Sequence, residues 1–330
     1  MGQVRRRTLI IAVGLLLAAP FVSIAQERSK VWRIGFLASA AASASPNTYG
    51  AFIQGMRDLG YVEGKNLTID WRITDGRQES LSSAANELAR RNEDVIVTAG
   101  GTRAARAARQ ATSTIPIVFV GVGDPVRAGF AASLPKPGGN LTGISNIAGE
   151  LELKRFELLR EILPNLNRIA YLSNPDVSES LVDAAEMRAA LKKIGVDILW
   201  LVARNSEDID RAFVEMGRRK VHGVIFATEN SLHLQVPKLA GLATKYRLPA
   251  AMGFPDAAEA GLLASYGSAT TENSRHAAVY VDKILKGAKP GDLAIEQPRT
   301  FELVVNLKTA KALRIKIPAS VLARADRVIE

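Results

Sequence analysis

The sequence predicts an α/β protein of two lobes, each a parallel sheet flanked by helices. Three observations carry this reading. Short apolar runs rich in β-branched residues recur along the chain, as at 115–120, with no polar alternation, the pattern of strands buried on both faces. Between them lie stretches of helical period, as at 150–163, where Leu153, Phe156, Leu159 and Leu163 form one stripe. The strict alternation of the two calls for right-handed crossovers and parallel strands.

Residues 1–25 read as an export leader. Arg5, Arg6 and Arg7 give a basic start, and 9–19 is apolar but short for a bilayer. Ser23 and Ala25 supply the small residues of a cut after Ala25. An uncleaved anchor is the alternative reading, and Arg6-Arg7 leaves general and twin-arginine export both open. Lipidation is excluded, because it needs a cysteine and the chain has none. Disulfides and thiolate metal sites are excluded on the same ground.

The first lobe begins with a strand at 31–37 and a small-residue loop at 38–46, which places Ser39 where ligands bind in open α/β sheets. A helix at 47–59, a strand at 67–73, a helix at 79–91 and a strand at 94–98 follow. Ala99-Gly100-Gly101-Thr102 then leads into a helix at 103–111. Strand, paired glycines and helix start make an anion-binding arrangement, since unpaired N–H groups point outward there. Thr102 reads equally well as a plain N-cap. After the strand at 115–120, Gly121, Gly123 and Asp124-Pro125 turn the chain into a short amphipathic helix at 126–134. A strand opens at 140–145, and 141–147 is the first crossing between lobes.

The second lobe alternates likewise. Helices fall at 150–163, 178–194, 206–220 (Ser206 as N-cap) and 231–246, and strands at 168–173, 196–202, 221–227 and 248–252. Asn174-Pro175-Asp176 puts polar groups past one strand's carboxyl end, and Thr228-Glu229-Asn230 follows another. The second crossing is expected at 253–256, with a strand at 262–265 ended by Tyr266-Gly267 and a helix at 270–285. The strand at 302–306 is the third crossing, before helices at 308–313 and 319–328. Lobe one is then 26–145 plus 254–300, and lobe two 146–253 plus 301–330. The lobes are Rossmann-like in order and share no sequence repeat.

Catalytic chemistry finds no footing. His222, His233 and His276 are the only histidines; His222 sits at a strand start and His276 in a helix, and structural or exposed roles are expected for both. The nucleophile-elbow and zinc-protease patterns are missing. Gly121-Val122-Gly123 opens like a dinucleotide fingerprint, but Val126 stands where its third glycine belongs. Net charge is +10, yet the basic residues are scattered over helices and aromatic content is 6%, so nucleic acid is not an expected partner. No metal or other cofactor is expected.

A small zwitterion suits the loops better. Gly101 and Thr102 could hold a carboxylate, and Asp124, beside Gly123, an ammonium group through a charge-assisted bond. Phe254 and Tyr266, near the return crossing, could cover an apolar or aromatic side chain, and Ser39 and, from lobe two, Asn174, Thr228 and Glu229 line the same cleft. Each has a plainer alternative: Asp124 shaping a turn, Asn174 ending a strand, Phe254 packing in a hinge.

The stretch IPIVFVGVGDPV…ASLPKPGGNLTGIS, together with FIQGMRDLGYVEGKN, KRFELLREILPNLNRIAYLSN, YVDKILKGAKP and FELVVNLKTAKAL in that order, resembles the periplasmic substrate-binding proteins of ABC transporters, in particular the family that includes tryptophan- and tyrosine-type binding proteins. The resemblance covers nearly all of the chain after the leader. It implies a type I periplasmic binding fold with three crossings and hinge closure around a small ligand. It further implies a periplasmic monomer that is not an enzyme and that hands its ligand to an ABC permease in the inner membrane. A ligand sensor signalling to a membrane receptor, without transport, is the alternative that the same fold serves.

Overall fold

Apolar runs become strands, and the polar turns at their ends feed helices back across the sheet. In the computed structural model, the structure describes residues 30–39, 46–74, 77–146, 148–174, 176 and 184–330. The expected leader, most of the loop at 38–46, and 178–183 of the expected helix at 178–194 lie outside them.

The first sheet takes β1 (Trp32–Ala38), β2 (Leu67–Ile73), β3 (Val95–Ala99), β4 (Ile117–Val122) and β5 (Leu141–Ser145), with α1 (Pro46–Asp58), α2 (Gln78–Arg90) and α3 (Gly101–Ala111) between them. Its order is β2-β1-β3-β4-β5, every pair parallel. Both faces are covered, as the unbroken apolar runs require. Phe36, Phe52, Met56 and Val281 fill one face, and Leu37, Leu88, Ile96 and Phe119 the other.

The second sheet takes β6 (Arg168–Ser173), β7 (Asp197–Val202), β8 (Gly223–Phe226), β9 (Ala250–Met252), β10 (Ala264–Ser268), β11 (Phe301–Asn306) and β12 (Arg327–Ile329). The order is β12-β11-β10-β9-β8-β6-β7, with β10 and β11 antiparallel. Its helices are α4 (Ala148–Ile162), α5 (Ala184–Lys193), α6 (Ser206–Arg218), α7 (Asn230–His233), α8 (Val236–Lys245) and α9 (Pro255–Glu259). One cluster containing Tyr171, Phe213, Phe226 and Met252 forms its core. Counted from each lobe's own first strand, the first sheet runs 2-1-3-4-5 and the second repeats that order before adding two further strands, so the lobes share a topology that their sequences do not show.

Three crossings join the lobes. The first follows β5; the crossing expected at 141–147 takes in β5 itself, which lies in the first sheet, and residue 147 lies outside the described residues. The second does not fall at 253–256. There the chain stays in the second sheet through α9 and β10, which pairs with β9 and β11. It leaves only after Ser268, to build α10 (Thr270–Leu285) against the first lobe. Residues 254–268 therefore belong with lobe two. The third crossing follows Glu296, which still bonds Ser145 and bridges Ile144 in the first lobe. β11 itself lies wholly in the second sheet.

Other differences have local causes. Residues 126–134 form turns rather than a helix. Asp124 Oδ1 accepts from the N–H groups of Val126 and Arg127, and Gly129 takes a φ of 73°, so helical bonding does not propagate. The stretch 231–246 divides into α7 and α8, because Pro237 sits in the first turn of α8. Residues 319–328 form only a short α12 (Ala319–Leu322) before β12, where Asp326 bonds back to Leu303 and draws the chain into the sheet. α11 (Leu307–Leu313) forms as expected. Asn205 caps α6 in place of Ser206.

Candidate functional site

In a doubly wound sheet ligands bind past the carboxyl ends of the strands, at the point where the strand order reverses. That point lies between β1 and β3 in the first lobe, and between β6 and β8 in the second. The two points face one another across a cavity of about 810 Å³, lined from both lobes. Ser39 follows β1 and Gly100-Gly101-Thr102 follows β3. Opposite them, Asn174 follows β6, and Thr228, Glu229 and Asn230 follow β8.

The lobes touch here directly. Asn230 Nδ2 donates to Ser39 Oγ at 3.0 Å, a bond between residues 191 apart in sequence. Gly101 sits beside it, 3.6 Å from Asn230 Nδ2 measured from where a Cβ would stand, with φ of 65°, a conformation that favours glycine. α3 thus starts at Gly101, with its first N–H groups at the cavity wall. Thr102 is not its cap: it lies one residue inside the helix, buried, and no side chain caps Gly100.

The floor of the second lobe holds buried charge. Glu152 and Arg155 lie one turn apart on α4, wholly buried, with Arg155 Nη1 2.8 Å from Glu152 Oε1. Arg155 Nε also donates to the Tyr266 carbonyl at 2.7 Å, tying α4 to β10. The Thr228 N–H and hydroxyl reach Glu152 Oε1 at 3.3 and 3.4 Å. Above this pair sits Glu229, 4% exposed, its Oε1 accepting from the Asn174 N–H at 2.7 Å and from the Ser231 hydroxyl at 3.2 Å. Burial pushes its carboxyl up to about 8. The Asn174 side chain is spent on a turn, accepting from Asp176 N–H at 3.0 Å.

Phe254 stands at the second-lobe wall, stacked on His233 with ring centroids 3.9 Å apart and planes 14° apart. His233 Nε2 in turn meets Asp256 at 2.8 Å. This acid is 23 residues away in sequence and reaches the histidine through the β9–α9 turn.

Eight of the ten residues expected at the site, Ser39, Gly101, Thr102, Gly123, Asn174, Thr228, Glu229 and Phe254, line this cavity. Two do not. Asp124 spends its carboxylate on the turn after β4, and Tyr266 lies on β10 facing Phe301, with ring centroids 6.3 Å apart. Asn230, His233, Asp256 and Arg155 also line the cavity, and sequence reasoning passed them over. Asn230 had a signal, as the next residue of a polar triplet past a strand. The Glu152–Arg155 pair had none, since its spacing is that of an ordinary exposed helix pair.

The comparisons agree with this architecture. The family model for ABC transporter substrate binding proteins matches residues 34–329. A protein from Vibrio cholerae solved as a conserved domain protein is 30% identical, covering 91% of this chain and 100% of that one, with a TM-score of 0.82. An ABC domain from Streptococcus pneumoniae in complex with L-tryptophan is 26% identical over 90% of this chain and 99% of that one, also at 0.82. The tyrosine-binding protein of Clostridioides difficile is 27% identical over 263 residues, 79% of this chain and 75% of that protein. Two parallel-sheet α/β lobes of the type I periplasmic binding kind, meeting at their switch points, and a family match over nearly the whole described chain place this protein in the ABC transporter substrate-binding protein family.

Proposed function

We propose that this protein is exported to the periplasm, captures a small zwitterionic amino acid with an aromatic side chain between its lobes, and delivers it to the permease of an ABC importer. One observation carries the ligand class: the facing switch points offer an anion-binding helix start from one lobe and an acid from the other. The N–H groups at the start of α3 suit a carboxylate. Glu229, rather than Asp124, suits the ammonium group. Phe254, backed by His233, gives a flat apolar wall for a ring. The names of the tyrosine-binding and tryptophan-bound relatives are in keeping with this class, and the basic, apolar leader supports export.

Capture by such a cleft involves hinge motion, and Asn230 to Ser39 is a bond that holds the lobes together across it. Replacing Asn230 with Ala removes about 1 kcal/mol of closed-state stabilisation and weakens amino-acid affinity about fivefold. Replacing Phe254 with Ala weakens binding of tryptophan about 10- to 100-fold while leaving alanine binding little changed. Calorimetric titration checks both.

The function is tested by native mass spectrometry of protein purified from its host's periplasm, followed by thermal-shift screening of the standard amino acids. The expected result is a co-purifying aromatic amino acid and stabilisation by about 3 kcal/mol at 100-fold saturation. Retention of a sugar instead, with no response to any amino acid, contradicts the ligand class.

A further inference from the structure

Glu229 presents an acid that nothing in the described protein completes. Oε1 is held by Asn174 and Ser231, but Oε2 is buried without a hydrogen-bond partner among the described residues. A buried carboxylate oxygen with no donor and no cation is unfavourable as an ion. The surrounding charges do not supply one. From α4, Arg155 ion-pairs with Glu152 and donates Nε to the Tyr266 carbonyl, with no hydrogen bond to Glu229, and Glu152 itself repels Glu229. From β6, burial raises the Tyr171 phenol well above its ordinary range, so it stays neutral. Asp176 pairs with Arg204 at 3.5 Å, and His233 bonds Asp256. Arg103, from the facing lobe, favours the ionised form, but burial outweighs it together with the two hydrogen bonds.

We propose that Glu229 is a carboxylic acid in the empty protein, and that a ligand's primary ammonium group docks on Oε2 by displacing its proton. Capture then releases a proton to solvent: the acid becomes a carboxylate, the ammonium keeps its three protons, and no bond between heavy atoms changes. This rests on the amino-acid reading above and adds its regulation. The ammonium supplies the charge and the donors that the site lacks, so it binds where the proton was. With the empty-site carboxyl near 8, affinity for an amino acid rises about tenfold per pH unit up to about pH 8 and then levels off. An acidified envelope empties the site, and a neutral to alkaline one fills it.

The test is calorimetric titration of tryptophan and tyrosine into the full mature protein at pH 7, in phosphate and in Tris, whose ionisation enthalpies differ. Close to one proton released per ligand is expected. Glu229→Gln releases none and binds at least tenfold more weakly, and indole-3-propionate, which lacks the amine, also releases none. A ligand-free arm follows the Glu229 carboxyl by carbon-13 NMR, assigned by its loss in Glu229→Gln, with titration expected near pH 8. Titration in the ordinary carboxylate range overturns the proposal whatever the ligand is. A protonated Glu229 with tight amino-acid binding but no proton release overturns it and leaves amino-acid capture standing. Binding of indole-3-propionate or a sugar, with no binding of any amino acid, overturns the ligand class and this proposal together.

Discussion

Arg155→Ala is expected to lose about 3–5 kcal/mol of folding stability, because it strands a fully buried Glu152 without its counter-charge. The cost arises from desolvation. Glu152 stays in the interior, where an unpaired carboxylate is strongly disfavoured, and the nearby hydroxyl and N–H of Thr228 approach it only at 3.3–3.4 Å. The same change deletes the 2.7 Å bond to the Tyr266 carbonyl, which links α4 to β10. Thermal unfolding should fall by about 10 °C. Replacing both partners with apolar residues of similar volume, Glu152→Leu with Arg155→Met, should recover most of the loss, since a buried pair contributes little net stability over a packed apolar one. Denaturant titration of the three variants checks this. A loss under about 1 kcal/mol in Arg155→Ala would show that the pair is solvated.

Gly267→Ala is expected to be at least as damaging. A Cβ at this position would stand 1.7 Å from the Gly253 carbonyl oxygen and 2.7 Å from its carbon. Both obstacles are backbone, so no side-chain rotation relieves the clash. The segment after β9 and β10 must separate instead, next to Arg155 and Thr228, which crowd Gly253 in turn. A loss beyond about 4 kcal/mol, read as loss of soluble folded protein, is the expected outcome. Gly50→Ala supplies the control. That glycine is exposed within α1 with nothing within 4 Å of its Cβ position, so the substitution should be neutral or stabilising by up to about 1 kcal/mol.

Much of the architecture was legible because buried parallel strands advertise themselves. Residues 117–120 and 169–172 are apolar runs that no exposed element would carry. Crossings were harder, because sheet membership depends on partners distant in sequence. Tyr266-Gly267 reads as a strand end, yet that glycine is what lets β10 lie beside the β9 turn. The site divides the same way. Position past a strand end located Ser39, Gly101 and Glu229 without knowledge of their partners. It could not separate Glu229 from Asp124, two acids each past a strand. What separates them is burial: Glu229 is sealed in by Asn174 and Ser231, while Asp124 meets the N–H groups of its own turn. His233 likewise drew no role from the sequence, and the fold brings Asp256 to it.

Small-angle X-ray scattering of the mature protein, with and without saturating tryptophan or tyrosine, tests most directly whether a solute is held between the lobes. Enclosure at the facing strand tips predicts a smaller radius of gyration on ligand addition, a change that Asn230→Ala diminishes. Saturating ligand that binds without altering the scattering curve would place the solute outside the crevice and contradict the account.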